Sequence, residues 1–254
     1  MKTYITCLPV GGQSKTTLAA HVLATHAPAP AIVSIETASP SGTEVELLSQ
    51  DEGRGARVLR SRLFAGSANH TTIVDSGVTD ATVIAEVLTD LARMRQLPAD
   101  LTVILPCDGS RKSISGLGNY VPTLPTSVRR VLVHSLVRDS ERGWAKLRET
   151  EAMRKLHEWC AAHSIEVCPV PMYYCALLDT ESPYHDLLRE AGSVAAVASL
   201  DLDALRERAR AAKGDHDAED RLGEALTGID MAQTAAANLR AVYEYLSGET
   251  GSRE

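Results

Sequence analysis

The residues best placed to do chemistry lie in the first third of the chain. A short apolar run ends at Leu8 and is followed by Val10-Gly11-Gly12-Gln13-Ser14-Lys15-Thr16-Thr17. Small residues after a strand let backbone N–H groups wrap an anion. A lysine that reaches phosphates and a hydroxyl that ligates Mg²⁺ complete such a loop. Lys15 and Thr16 have those types in that order, and a helical pattern begins at once. Pro9 and Ser14 occupy the two positions where the standard pattern has glycine. Further on, the apolar pair Ile73-Val74 ends at Asp75, a carboxylate suited to hold a metal's water, and Gly77 follows with a backbone N–H for a terminal phosphate. These residues point to a nucleotide with Mg²⁺, with Lys15 and Asp75 as the catalytic candidates. Gly11, Gly12, Gln13, Ser14, Lys15, Thr16, Thr17 and Gly77 are the binding candidates, and Thr16 and Asp75 the metal candidates.

Strands must carry these loops. Apolar runs at residues 4–8, 31–35, 71–75, 101–105, 130–134 and 165–170 read as six strands, the fourth stopped by Pro106. Helical spacing covers 15–25, 79–94 and 144–163 between them. Alternation of this kind predicts an α/β fold, a doubly wound and mostly parallel sheet. Ligands then sit at the carboxyl ends of the strands, where the phosphate loop and Asp75 fall. From about Ser199 the pattern turns helical, through Leu202, Leu205, Ala209 and Ala212 and then a helix over 218–246 with a weak point near Gly228. The expected division is a nucleotide-binding unit over 1–192 and a helical extension over 193–254 packed on it.

The chain has 254 residues, enough to bury a core unaided. Hydrophobic residues make up 44% and aromatics only 4%, so Ala, Val, Leu and Ile must fill that core. The net charge of −7 argues against a broad nucleic-acid surface. Cys7, Cys107, Cys160, Cys168 and Cys175 form no CxxC pair and read as buried free thiols of a reducing compartment. A short polar N-terminus and the lack of a bilayer-length apolar run place the protein in the cytoplasm, without a membrane partner.

Three stretches together resemble the ParA/MinD family of deviant Walker ATPases: Gly11 to Thr17, Ile35-Glu36 through Ser39-Pro40, and Thr72 to Gly77. The likeness runs to about Val170 and looks nearest to the plasmid-encoded StbB and TraL type. It implies a P-loop fold, ATP and Mg²⁺ as ligands, and a role in plasmid stability, partition or conjugative transfer beside a partner protein, with DNA reached indirectly. Two departures stand out. The family's second lysine, which reaches a partner's nucleotide across a dimer, is replaced by Val10. The family's Asp before Pro, which positions the attacking water, is missing from the matching stretch, Ala38-Ser39-Pro40. The resemblance thus implies ATP binding with weak or partner-dependent hydrolysis, and leaves a homodimer open.

Two other readings stand beside it: a non-catalytic adaptor on a degenerate P-loop fold, and a small-molecule kinase or ligase, for which no substrate motif is present. Ordinary roles are expected elsewhere. Glu36 reads as a solvated loop carboxylate and His134 as a satisfied structural histidine. Arg54, Arg57, Arg60 and Arg62, like Arg206, Arg208, Arg210 and Lys213, read as solvated helix faces among acidic neighbours.

Overall fold

In the computed structural model, the structure describes residues 2–12, 14–35, 46–47, 54–65, 70–135, 141–179, 182, 184–201, 203, 207 and 216–249. Among the described residues, seven strands form one sheet: β1 Thr3–Thr6, β2 Pro30–Ser34, β3 Glu46–Leu47, β4 Thr71–Asp75, β5 Leu101–Cys107, β6 Arg129–His134 and β7 Glu166–Val167. Their order is β3-β2-β4-β1-β5-β6-β7, and every neighbouring pair is parallel. β1 lies in the middle, so the loop that follows it emerges at the centre of the carboxyl edge.

Strand side chains alternate between two apolar layers. Ile5, Val74, Val103, Leu105 and Leu132 face one layer. It is covered by α2 (Arg54–Ala65), α3 (Ala81–Arg93), α4 (Arg111–Tyr120), α5 (Glu141–Arg148) and α6 (Glu151–Ala162). Tyr4, Ile73, Ile104, Val131 and Val133 face the other. There the covering helices are α1 (Lys15–Thr17, running on with π-type geometry through Leu18–Ala24), α7 (His185–Ala191), α8 (Val194–Ala198) and α9 (His216–Ser247). The parallel, doubly covered sheet follows from the strand–helix alternation. Leu18, Val22 and Leu23 are buried, as their spacing requires.

Several elements differ from the sequence reading. β5 runs through Pro106 instead of stopping before it. The Ile104 carbonyl accepts from the Cys7 N–H on the β1 side, and the Cys107 carbonyl accepts from Ser135 on the β6 side. Alternation puts Pro106 on the β1 side, beyond the end of that strand, where the missing N–H leaves no ladder partner unpaired. The helix expected over 144–163 is two. Thr150 breaks it, donating to the Leu147 carbonyl at 2.7 Å and capping α6 by accepting from the Met153 N–H at 3.4 Å. α4 was not legible among Ser and Gly residues, nor α2 among its arginines, nor the two-residue β3. The sixth run yields only the two residues of β7.

α9 is unbroken through Gly228. A Cβ there would lie 2.5 Å from Leu187 Cδ2, so the glycine admits the side chain of α7. The last carbonyls of α9 are held by cations: Arg129 Nη1 donates to Leu246 O at 2.8 Å, and Lys2 Nζ donates to Ser247 O. Ile229, Ala232, Leu239, Val242 and Leu246 bury its stripe in the second layer. Leu202, Leu205, Ala209, Ala212, Arg206, Arg208, Arg210 and Lys213 lie outside the described residues. Of the arginines on α2, Arg57 and Arg62 are exposed, and Arg60 pairs with Asp90 at 2.5 Å. No described helix is long and apolar enough to cross a membrane.

Candidate functional site

The chain leaves β1 at Thr6 and must reverse to enter α1 on the second layer. It does so with two left-handed residues, Gly12 at φ 74° and Ser14 at φ 61°. For glycine that conformation is free of Cβ strain. For serine it costs roughly 1–2 kcal/mol, and strain of this kind gathers at ligand sites. Ser14 therefore holds a backbone that glycine adopts more readily, at the position where the sequence motif has glycine. Among the described residues, nothing outside its own chain neighbours lies within 4 Å of a Cβ built on Gly12.

Two neighbours brace the loop. Gly11 meets Val78 Cγ2 at 3.6 Å from its ideal Cβ, so the segment after β4, with the buried Gly77, leans against it. Val10 turns into the first layer, where its Cγ2 lies 2.4 Å from a Cβ built on Gly116 of α4. Lys15 is only 6% exposed, and its Nζ donates to the Val10 carbonyl at 2.9 Å, arching back over the turn. Thr16 and Thr17 follow, half-buried, in the first helical turn. Gln13, Glu36 and Ala38-Ser39-Pro40 lie outside the described residues.

Asp75 ends β4 beside the loop and is buried. It stands in register with Thr6 of β1 on one side and Ser34 of β2 on the other. Strand alternation turns all three toward the layer that holds α1. Thr6 Oγ1 donates to Asp75 Oδ1 at 3.1 Å. Ser76 Oγ donates to the Thr6 carbonyl at 2.9 Å, and the Ser76 N–H donates to it at 3.3 Å. Thr6, Ser34 and Ser76 escaped the sequence reading. The available signal was a hydroxyl at the last residue of each of two strands whose next neighbour ends in a carboxylate.

His134, at the carboxyl end of β6, faces the opposite layer. Its Nε2 lies 3.0 Å from His157 Nε2, and its ring packs on Trp144 with centroids 4.9 Å apart. Burial, with His157 adding to it, pulls its pKa down to about 3. It is a satisfied, neutral, structural side chain. The five cysteines are free and buried. Burial pushes Cys7 and Cys160 up to about 12 and Cys168 to about 11, which makes them inert as nucleophiles.

The chemistry available is anion binding by a glycine-containing turn and a lysine, next to one buried carboxylate. No group of three or more His, Cys, Asp or Glu is gathered to hold a metal among the described residues. One carboxylate and one hydroxyl suit Mg²⁺, which keeps several waters and shares ligands with phosphates.

No protein-family model matches the chain. No curated protein matches it either. Among solved structures, the ATP complex of a single-substitution variant of McdA from Cyanothece aligns with 100% of this chain and 98% of its own, at 13% identity and a TM-score of 0.49. Apo McdA aligns with 90% of this chain and 99% of its own, at 15% identity and a TM-score of 0.41. At that distance the likeness assigns a role to no residue.

Proposed function

We propose that this chain is a ParA/MinD-like P-loop protein that binds ATP with Mg²⁺. The observation that carries the reading is the backbone of the turn after β1. Ser14 is left-handed at the position where the standard motif has glycine, directly before Lys15, and Asp75 lies buried alongside. In this reading Gly11, Gly12, Gln13, Ser14 and Thr17 surround the phosphates with backbone N–H groups, and Gly77 approaches the terminal phosphate. Lys15 leaves the Val10 carbonyl to meet phosphate oxygens. Thr16 and, through water, Asp75 hold Mg²⁺, which supplies charge neutralisation at the phosphates.

Slow turnover belongs to the same proposal. Val10 is buried against Gly116 and offers no charge to a nucleotide on a second copy. Loss of a charge-stabilising group costs orders of magnitude in rate, so basal turnover is expected well below about 1 s⁻¹. The resemblance to StbB and TraL proteins supports a role in plasmid stability, partition or conjugation, in the cytoplasm, with a protein partner that brings the chain to DNA.

Isothermal titration with ATP, ADP and GTP in the presence of Mg²⁺ tests the reading. The wild type should bind, and Lys15→Ala should lose binding while keeping its fold. Equal affinity in the two proteins would sink the phosphate-loop assignment. The burial of Val10 also favours a second reading, a non-catalytic adaptor. In that case neither protein binds nucleotide and partner capture is unaffected by Lys15→Ala.

A further inference from the structure

Asp75 is a metal candidate only if its carboxylate is held in one orientation, and a neighbouring strand supplies the means. Thr6 is fully buried and is the register partner of Asp75 in the centre of the sheet. Its hydroxyl has one proton and two carbonyl or carboxylate oxygens in reach: Asp75 Oδ1 at 3.1 Å and Val74 O at 3.4 Å. The shorter, charge-assisted bond takes the proton. The Thr6 backbone is itself pinned, because Ser76 donates to its carbonyl from both N–H and Oγ. The residue after the carboxylate thus fixes the residue that orients the carboxylate, across two adjacent strands.

A purely structural threonine here has no need of this arrangement. Valine would fill the same volume with the same strand preference and spare the burial of a hydroxyl. The hydroxyl is explained by what it does to Asp75: its bond to Oδ1 ties one carboxylate oxygen to the neighbouring strand. We propose that Thr6 is a positioning residue for the metal site, setting the orientation of Asp75 toward Mg²⁺. The proposal rests on the nucleotide reading above.

The test is the Mg²⁺ dependence of nucleotide binding, measured for wild type, Thr6→Val, Thr6→Ser and Asp75→Asn. ATP affinity is titrated with Mg²⁺ and again with excess chelator, and Mn²⁺ affinity of the ATP complex is read by electron paramagnetic resonance. Loss of a hydrogen-bond partner behind a metal ligand typically costs about 10- to 100-fold in metal affinity. Thr6→Val should lose Mn²⁺ affinity by that order, keep its affinity for metal-free ATP, and still unfold cooperatively, at a lower temperature than wild type because a buried carboxylate loses a donor. Thr6→Ser should restore the metal affinity. If Asp75→Asn loses the metal and Thr6→Val does not, the positioning role is refuted while the nucleotide reading stands. If Thr6→Val loses metal-free binding in equal measure, or serine fails to rescue, the threonine is only structural and the proposal fails. A wild type whose ATP binding is indifferent to Mg²⁺ overturns both readings.

Discussion

Replacing His134 with phenylalanine should flatten the acid side of the stability curve. The ring is 2% exposed, packed at a tilt against Trp144 of α5 and hydrogen-bonded to His157 of α6. Burial, then the proximity of His157, lowers its pKa from 6.5 to about 3. The pKa of His157 is lowered in the same direction, by partial burial and by Arg148. The unfolded chain titrates this ring near its ordinary value. Between the two pKa values it binds more protons than the folded chain, so stability is present above about pH 6.5 and falls as the pH drops toward 3. From about pH 7 to about pH 5, the linkage integral for one such histidine is about 2 kcal/mol. That figure hardly depends on the folded value, provided it lies below about 4. Phenylalanine keeps the contact with Trp144 and cannot titrate. His157 is half-buried, so its freed nitrogen can turn to water. Urea unfolding at the two pH values, followed by far-ultraviolet circular dichroism, gives the comparison. Wild type should lose about 2 kcal/mol more than His134→Phe over that interval. His21 and His26, whose pKa values burial also lowers, act alike in both proteins and cancel. Parallel curves for the two proteins would refute a neutral, buried His134.

Four further outcomes are expected. Gly12→Ala should destabilise the loop by roughly 1–2 kcal/mol through left-handed strain alone, since no described residue beyond its chain neighbours crowds a Cβ there; thermal melting reads the loss. Ser14→Gly removes the same kind of strain, so it should leave stability unchanged or raised by up to about 1 kcal/mol, the unfolded-state cost of glycine offsetting part of the gain. Gly116→Ala should weaken Mg-ATP binding, because its methyl meets the β-branched Val10 at 2.4 Å and pushes on the loop. Val10→Ala in the same chain should restore it, a coupling that titration of the single and double variants measures. The isolated protein, with its charge of −7, should bind plain duplex DNA no more tightly than about 10⁻⁶ M at about 150 mM salt. Sub-micromolar binding that survives that salt would defeat the partner-mediated route to DNA.

The sequence by itself determined the layering and the place of the loop. Alternation of apolar runs with helical spacing allows little besides a parallel sheet covered on both faces, because such strands must bury both sides. A lysine and a hydroxyl at the start of a helix after the first strand suggest the proposed phosphate loop by order and spacing, both local properties. What the tertiary structure decided depends on neighbours far apart in the chain. Whether Pro106 ends a strand turns on where β1 stops, at Thr6, far away in sequence. Whether Gly228 breaks a helix turns on Leu187 resting against it. Val10 reads on paper as an empty position in a motif, and its burial against Gly116 shows where its side chain goes. Thr6 and Asp75 are separated by 69 residues, and only the parallel register of β1 and β4 makes them partners. Local chemistry can be read along the chain, whereas the orientation of a buried carboxylate is set across it, by hydrogen bonds that form only when strands align.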